Sequence, residues 1–342
     1  MSSGKLSYVP VAARAIAAVA CGAITFAVCG CRGEIVTIGE KPAPTYHFGP
    51  PRLVVELAAY ARTNNATLTA DLLEIYFTST RDQDDFDIWT AARPSRYNAS
   101  GSPVDFGPPQ KVRSVSSQSR DTGSTISADG LTLWLGSDRR SMGTSGGLDI
   151  WVSTRPSRTS DWSDPALVPA LNSSSFDIPR PPGAHGLVMP LGTERGPGSV
   201  YRTFFASRPS ITAPFETPEP VPELTFETAT TMDAFLSDDG FTVFYASGPA
   251  MMANEGGLPA GLDAGVGGSA PDATPPLVSA DLFFGRREKL TDSFSGFTPI
   301  AELNHPLFDE RDPWLSDDKT QFFFSSDRGG NLNIYTCDVI FK

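Results

Sequence analysis

The sequence predicts an all-β fold: a five-bladed β-propeller of four-stranded antiparallel blades, closed by an amino-terminal strand that completes the last blade. Three observations predict it. The 342 residues include 31 Gly and 30 Pro, so turns punctuate the chain too often for long helices. A block of about 56 residues recurs five times. Within each block apolar residues alternate at period two, as in Leu131, Leu133 and Leu135 or Phe241, Val243 and Tyr245. Hydrophobic residues make up 40% of the chain, which excludes a disordered polymer, and a net charge of −12 argues against a nucleic-acid partner.

The repeat is read from three landmarks. An aromatic followed closely by Pro stands at Phe48, Phe106, Trp162, Phe215 and Phe297. A turn position falls at Asp71, Asp129, His185, Asp239 and Asp318, at intervals of 58, 56, 54 and 79. An aromatic strand follows each turn: Asp87-Ile-Trp, Asp149-Ile-Trp, Val200 to Phe205, Asp281-Leu-Phe-Phe and Asn333-Ile-Tyr. The long interval reflects an insertion over 248–279, whose Gly, Ala and Pro content predicts disorder. About 56 residues accommodate four strands, one propeller blade. In the second copy these are an inner strand ending near Ser127, then Leu131–Ser137, Leu148–Ser153 and an outer strand near 167–170. The chain ends just after the third strand of the fifth copy, so Pro51–Leu57 is expected to supply the missing outer strand and remove an exposed edge. The same segment, LVVELAAYA, would also allow a helix start. Copy three departs from the pattern, with His185 at the turn and Pro190 in mid-strand, and its blade is expected to be irregular.

Ahead of the repeats, Lys5 and Arg14 precede an apolar run from Ala15 to Val28. This run is short of the roughly 20 residues that span a bilayer but suits a secretory signal. Val28-Cys29-Gly30-Cys31 resembles a bacterial lipobox, which implies a signal over 1–31, lipidation at Cys31 and a tether over 32–46 before a propeller over 47–342. Ordinary signal-peptidase cleavage near Ala27 is the alternative. By the same resemblance, Arg32 after the acceptor implies export across the inner membrane and outer-membrane sorting, facing periplasm or cell surface. Cys21 and Cys29 would leave with the signal, so no disulfide is expected and Cys337 reads as a small buried hydrophobe.

Ser-Ala-Asp-Gly-x-Thr-x-Trp-x-x-Ser-Asp-Arg at 127–139, followed by Asp149-Ile-Trp, resembles the WD40-like propeller repeat of the TolB carboxy-terminal domain and of bacterial envelope lipoproteins. The resemblance covers 47–342 and implies architecture rather than chemistry, because such propellers are mostly binding scaffolds.

Residues repeated in every copy serve the blade; function should break the repeat. Turn residues such as Asp129-Gly130 answer the demand for positive φ. Two Arg series, Arg81, Arg139, Arg195, Arg328 and Arg93, Arg155, Arg208, Arg286, are read as structural. Breaks occur at the start of the inner strand, where one column reads Thr63, Asp121, Asp177, Thr231, Glu310. Two residues later it reads Asn65, Gly123, Pro179, Asp233, Asp312. Asp121, Asp177, Asp233, Glu310, Arg311 and Asp312 are therefore the candidate ligand-binding residues at one mouth of the channel, with Arg120 and Arg180 beside them. A solvated acidic rim is the plainer alternative. The acidic loop 82–87 lacks the Gly and terminal Glu of a calcium loop, and His47, His185 and His305 fall at non-equivalent positions, so neither metal nor cofactor is expected.

The function expected is non-enzymatic: an envelope-anchored binding or scaffold protein that takes a protein, peptide or glycan on its propeller face and meets the membrane through its lipid. The alternative is a glycoside hydrolase using Asp121, Asp177 and Glu310, since hydrolysis needs two carboxyls about 5 to 10 Å apart. A recruitment module of an export machine is a third reading. Cys31→Ala is expected to abolish fatty-acid labelling and membrane fractionation; unchanged labelling would refute the lipid acceptor.

Overall fold

The alternating segments form twenty-one strands in the computed structural model, which describes residues 45–82, 85–196, 200–226, 229–249 and 279–341. The expected signal with Cys31, the tether to residue 44 and positions 250–278 of the insertion lie outside the described residues. The chain enters through β1 (Tyr46–Phe48) and β2 (Arg52–Leu53). Blade one is β3 (Thr63–Leu68), β4 (Glu74–Ser79), β5 (Asp87–Ala92) and β6 (Gln110–Lys111). Blade two is β7 (Asp121–Ile126), β8 (Thr132–Ser137), β9 (Asp149–Thr154) and β10 (Ala166–Leu167). Blade three is β11 (Asp177–Pro179), β12 (Val188–Thr193), β13 (Arg202–Ser207) and β14 (Glu219–Pro220). Blade four is β15 (Ala229–Leu236), β16 (Thr242–Pro249), β17 (Asp281–Arg286) and β18 (Ser295–Pro299). Blade five is β19 (Glu310–Leu315), β20 (Gln321–Ser326) and β21 (Asn333–Phe341), all pairing antiparallel in chain order.

The amino terminus closes blade five, as expected, but in two pieces. Tyr46–Phe48 pairs with Val339–Phe341, and Arg52–Leu53 pairs with Tyr335–Thr336. Pro50 and Pro51 lack the N–H that would carry the ladder between them, and only Gly49 donates to Asp338 there. The propeller therefore begins at Tyr46, within the span assigned to the tether, and the expected strand over 51–57 stops at Leu53. Val55–Leu57 is a single 3-10 turn, which corrects both the longer strand and the helix alternative. Every outer strand ends in the same tight turn. Leu57, Val115, Leu171, Leu224 and Leu303 each donate a backbone N–H to the residue three positions earlier, and all five side chains are buried.

The core lies in the seams between blades. Tyr76, Trp151 and Trp162 pack with Ile126, Leu133 and Leu135 between blades one and two. Trp134, Met189, Leu191 and Phe215 fill the next seam, and Leu236, Val243, Tyr245 and Phe294 the third. The largest cluster joins blades four, five and one around Tyr46, Phe48, Phe244 and Phe322. Cys337 is a buried free thiol whose burial pushes it up to about 12.

Both Arg series are structural, the second tying each blade's own hairpin to the loop before its outer strand, with one correction. Arg93, Arg155, Arg208 and Arg287, not Arg286, donate Nε to the carbonyls of Leu72, Gly130, Gly186 and Gly240. Their guanidinium groups lie over Phe106, Trp162, Phe215 and Phe294, not Phe297, at 4.3 to 4.6 Å from the ring centres. Arg286 ends β17, where Ala92 and Thr154 end their strands, and a one-residue shift presents the opposite face.

Pro190 sits inside β12 without breaking it. Its carbonyl accepts from Arg180 on the side where β11 has already stopped, so the missing N–H costs little of the ladder. The insertion begins later than expected, since Gly248 and Pro249 extend β16. Tyr46 is 5% exposed, bonds to Thr242 and meets Phe244 edge-on, so it locks the amino-terminal strand to blade four. Tyr46→Ala is expected to lower unfolding stability by about 3 kcal/mol in a denaturant titration; a loss under about 1 kcal/mol would mean that this strand does not hold the ring.

Candidate binding site

The six residues singled out in the sequence separate into two sets. Asp121 accepts from the Ser117 main chain and hydroxyl on one oxygen and from Arg139 on the other. Asp177 repeats this with Ser173, Thr193 and Arg195. Glu310 does so with the His305 N–H, Ser326 and Arg328. All three are fully buried, each tied to the loop that precedes its own inner strand. The same arginines also donate to the Val115, Leu171 and Leu303 carbonyls on the preceding blade, at 2.6 Å in each case. These carboxylates therefore join blade to blade instead of opening on a shared mouth. Burial pushes Glu310 up while the His305, Arg328 and Ser326 bonds draw it back down. Arg311 is buried against Asp309 at 2.8 Å, and Arg120 faces Asp85 at 3.9 Å.

The second column does converge on the axis. In four blades the inner strand carries a bulge, and the bulged residue has positive φ: Asn65, Gly123, Asp233 and Asp312, between 52° and 60°. Blade three has Pro179, whose ring forbids that conformation. Arg180 follows it where the other blades carry Ala66, Ser124, Ala234 and Pro313. Its guanidinium bonds to Asn65, reaches Asp312 at 3.0 Å and pairs with Asp233, while the Asn65 N–H donates to Asp312. All four residues are more than nine-tenths buried. One cation from blade three thus closes the channel against two anions from blades four and five. Only a cavity of about 20 Å³ remains beside it, room for a single water.

The larger cavity lies at the other end, on the hairpin face, and encloses about 530 Å³. Blade three creates it. Pro179, Pro181 and Pro182 end β11 after three residues, and the chain then turns through Ala184, His185 and Gly186 at φ of 51°, 55° and 77°. Gly183 passes so close to Leu236 that any Cβ would collide with its carbonyl. The walls are Trp134, Phe235 and Trp314, with Leu68 and Ile126; the rim carries Asp129, His185, Arg208, Asp238 and Asp317. His185 Nδ1 lies 3.0 Å from Asp238. Burial, reinforced by Asp238 and Asp318, pushes Asp317 up to about 6, with His185 opposing. Arg208 is committed to the Gly186 carbonyl and the Phe215 ring. Among the described residues no three His, Cys, Asp or Glu side chains gather as metal ligands.

The departure at His185 is visible in the sequence, but Phe235 and Trp314 lie outside the repeat's landmarks, and nothing there assigns this end a role. The available signal was the column Thr67, Thr125, Pro181, Phe235, Trp314, which is polar in two blades and aromatic in two others.

No protein family and no curated protein matches the chain. Solved structures do match as propellers. TolB from Acinetobacter baumannii aligns with a TM-score of 0.45 and 10% identity, covering 83% of this chain and 56% of that one. A protein of unknown function from Dyadobacter fermentans aligns at 0.48 and 13%, over 87% and 99% of the two chains. Zg3597, a family 117 glycoside hydrolase from Zobellia galactanivorans, aligns at 0.44 and 11%, over 86% and 90%. The likeness to TolB-like propellers is one of fold, and the chain spans little more than half of the first of them.

Because folding raises Asp317 above its ordinary 3.8, the native state binds the extra proton and its contribution to stability falls as pH rises from about 4 to 6. Asp317→Asn is expected to melt progressively higher than the parent across that window, with a constant difference above it. A difference independent of pH in thermal melts would refute the shift.

Proposed function

We propose that the protein is a non-enzymatic binding module of the cell envelope, held there by its lipidated amino-terminal segment, that receives a peptide, protein or glycan on its hairpin face. The observation that carries this reading is the 530 Å³ cavity, which combines aromatic walls with a polar rim. Its volume falls in the range of small-ligand sites, and its few convergent polar groups are what orientation requires. The axis behind it is sealed by Arg180, so a ligand would rest on the cavity walls and not thread the ring. The shortened β11 and the turn through His185 that open it are both in blade three, as expected of a site added to a repeated scaffold. The hydrolase alternative draws less support, because Asp121, Asp177 and Glu310 spend their oxygens on arginines and loop donors within the seams.

Purified protein should bind saturably to members of a defined peptide and glycan panel, with tryptophan fluorescence as the readout. His185→Ala or Trp134→Leu should weaken that binding at least about tenfold, or about 1.4 kcal/mol. Binding insensitive to both variants would remove the cavity from the function. Turnover of aryl glycosides that Glu310→Gln abolishes would select the hydrolase instead.

A further inference from the structure

The turn aspartates behave alike in three blades and differently in one. Asp71, Asp239 and Asp318 each spend Oδ1 on their own turn, accepting from the hydroxyl two residues before and the N–H two residues after. Each spends Oδ2 on a cation from another blade: Arg158, Lys319 and Arg96 respectively. Asp129 satisfies Oδ1 in the same way, from Ser127 at 2.6 Å and Leu131 at 2.9 Å. Among the described residues no cation lies within ion-pair distance of its Oδ2, although Arg158 stands near enough to feel its charge. Arg158 touches Asp129 only through the main-chain carbonyl, its charged end being spent on Asp71.

The reason is legible in the repeat. Arg93-Pro-Ser-Arg96 and Arg155-Pro-Ser-Arg158 place a second Arg three residues after the one that bonds its own hairpin, and it reaches back to the preceding blade's turn Asp. Blade three reads Arg208-Pro-Ser-Ile211, so the residue that should reach Asp129 is an exposed Ile. Both Asp129 and Ile211 line the 530 Å³ cavity, beside Trp134. Across the rim stand Asp238 and Asp317, and the only Lys or Arg among the lining residues is Arg208, already held by a carbonyl and a ring. The cavity is therefore acidic and aromatic at once, where a cation gains from a carboxylate and from ring faces together.

We infer that the hairpin-face cavity takes an arginine side chain of a peptide or protein partner, whose guanidinium supplies to Asp129 what Arg158 supplies to Asp71. This inference rests on the binding role proposed above and narrows it to a cationic peptide. The probe is the pentapeptide acetyl-Ala-Ala-Arg-Ala-Ala-amide against its citrulline counterpart, which keeps the shape and loses the charge. The arginine peptide should bind the full-length protein saturably, followed by tryptophan fluorescence, and the citrulline peptide at least about tenfold more weakly. Asp129→Asn should lose the same factor. Ile211→Arg, which restores the internal cation, should abolish binding with the melting temperature unchanged or raised, so loss of fold cannot mimic the result. Equal affinity for the two peptides, no binding of either, or indifference to Ile211→Arg would overturn the assignment. The wider binding role is tested separately, and fails if panel binding ignores His185→Ala and Trp134→Leu or if turnover of aryl glycosides is found that Glu310→Gln abolishes.

Discussion

The ring depends on one repeated joint, an arginine two residues beyond the end-of-strand Ser or Thr. Arg81, Arg139, Arg195 and Arg328 each turn Nε back on that hydroxyl and extend Nη2 to a carbonyl in the outer turn of the preceding blade. A guanidinium suits this work because its donors are fixed in a plane and its faces can lie on rings. Arg81 does so over Trp89, and Arg139 over Trp151. In three seams the fork also neutralises a fully buried carboxylate, which would be costly to leave alone. Blade four manages without the arginine: the Thr231 hydroxyl makes the bond to Leu224 at 2.8 Å unaided. Seam after seam, the same carbonyl position is met by whichever donor the local sequence supplies.

Once the seams are secured by repetition, departures from it become affordable, and blade three concentrates them. Pro179 excludes the left-handed residue that the other blades use at their bulge, which brings Arg180 to the axis as its plug. Pro181 and Pro182 then end the inner strand early, and the wall they vacate becomes a cavity. Ile211 leaves a turn carboxylate exposed to it. These local departures thus convert a scaffold element into a recess without disturbing the ladder of β12 with β13.

The fold was readable because its cause is local and repeated: the aromatic landmark, the turn position and the aromatic strand each occur in all five copies. The site was less readable, for a physical reason. Asp121, Asp177 and Glu310 broke the column as a functional residue would, yet each is met by an arginine 18 positions later, Arg139, Arg195 or Arg328, and is spent on the seam. Blade one keeps the arginine, Arg81, with Thr63 in place of the acid, and blade four has Thr231 with neither, so the column alone does not show that its acids serve the seam. Asp233 and Asp312 stand at the axis, but their partner Arg180 comes from a blade whose register a proline changes. The error of one residue at Arg286, and of three at Phe297, has the same character, since neighbouring arginines 286 and 287 cannot be told apart until the strand end is known.

The edge strand has a temporal consequence. Arg52 and Asp338, joined across it, stand 286 positions apart in the chain. A polypeptide made from its amino end therefore holds its clasp early and must wait for β21 before there is anything to fasten. Until then four blades can stack while the fifth lacks its border, and the contact that shuts the ring is among the most non-local in the molecule. A chain lacking β21 would remain open however well its earlier blades had assembled.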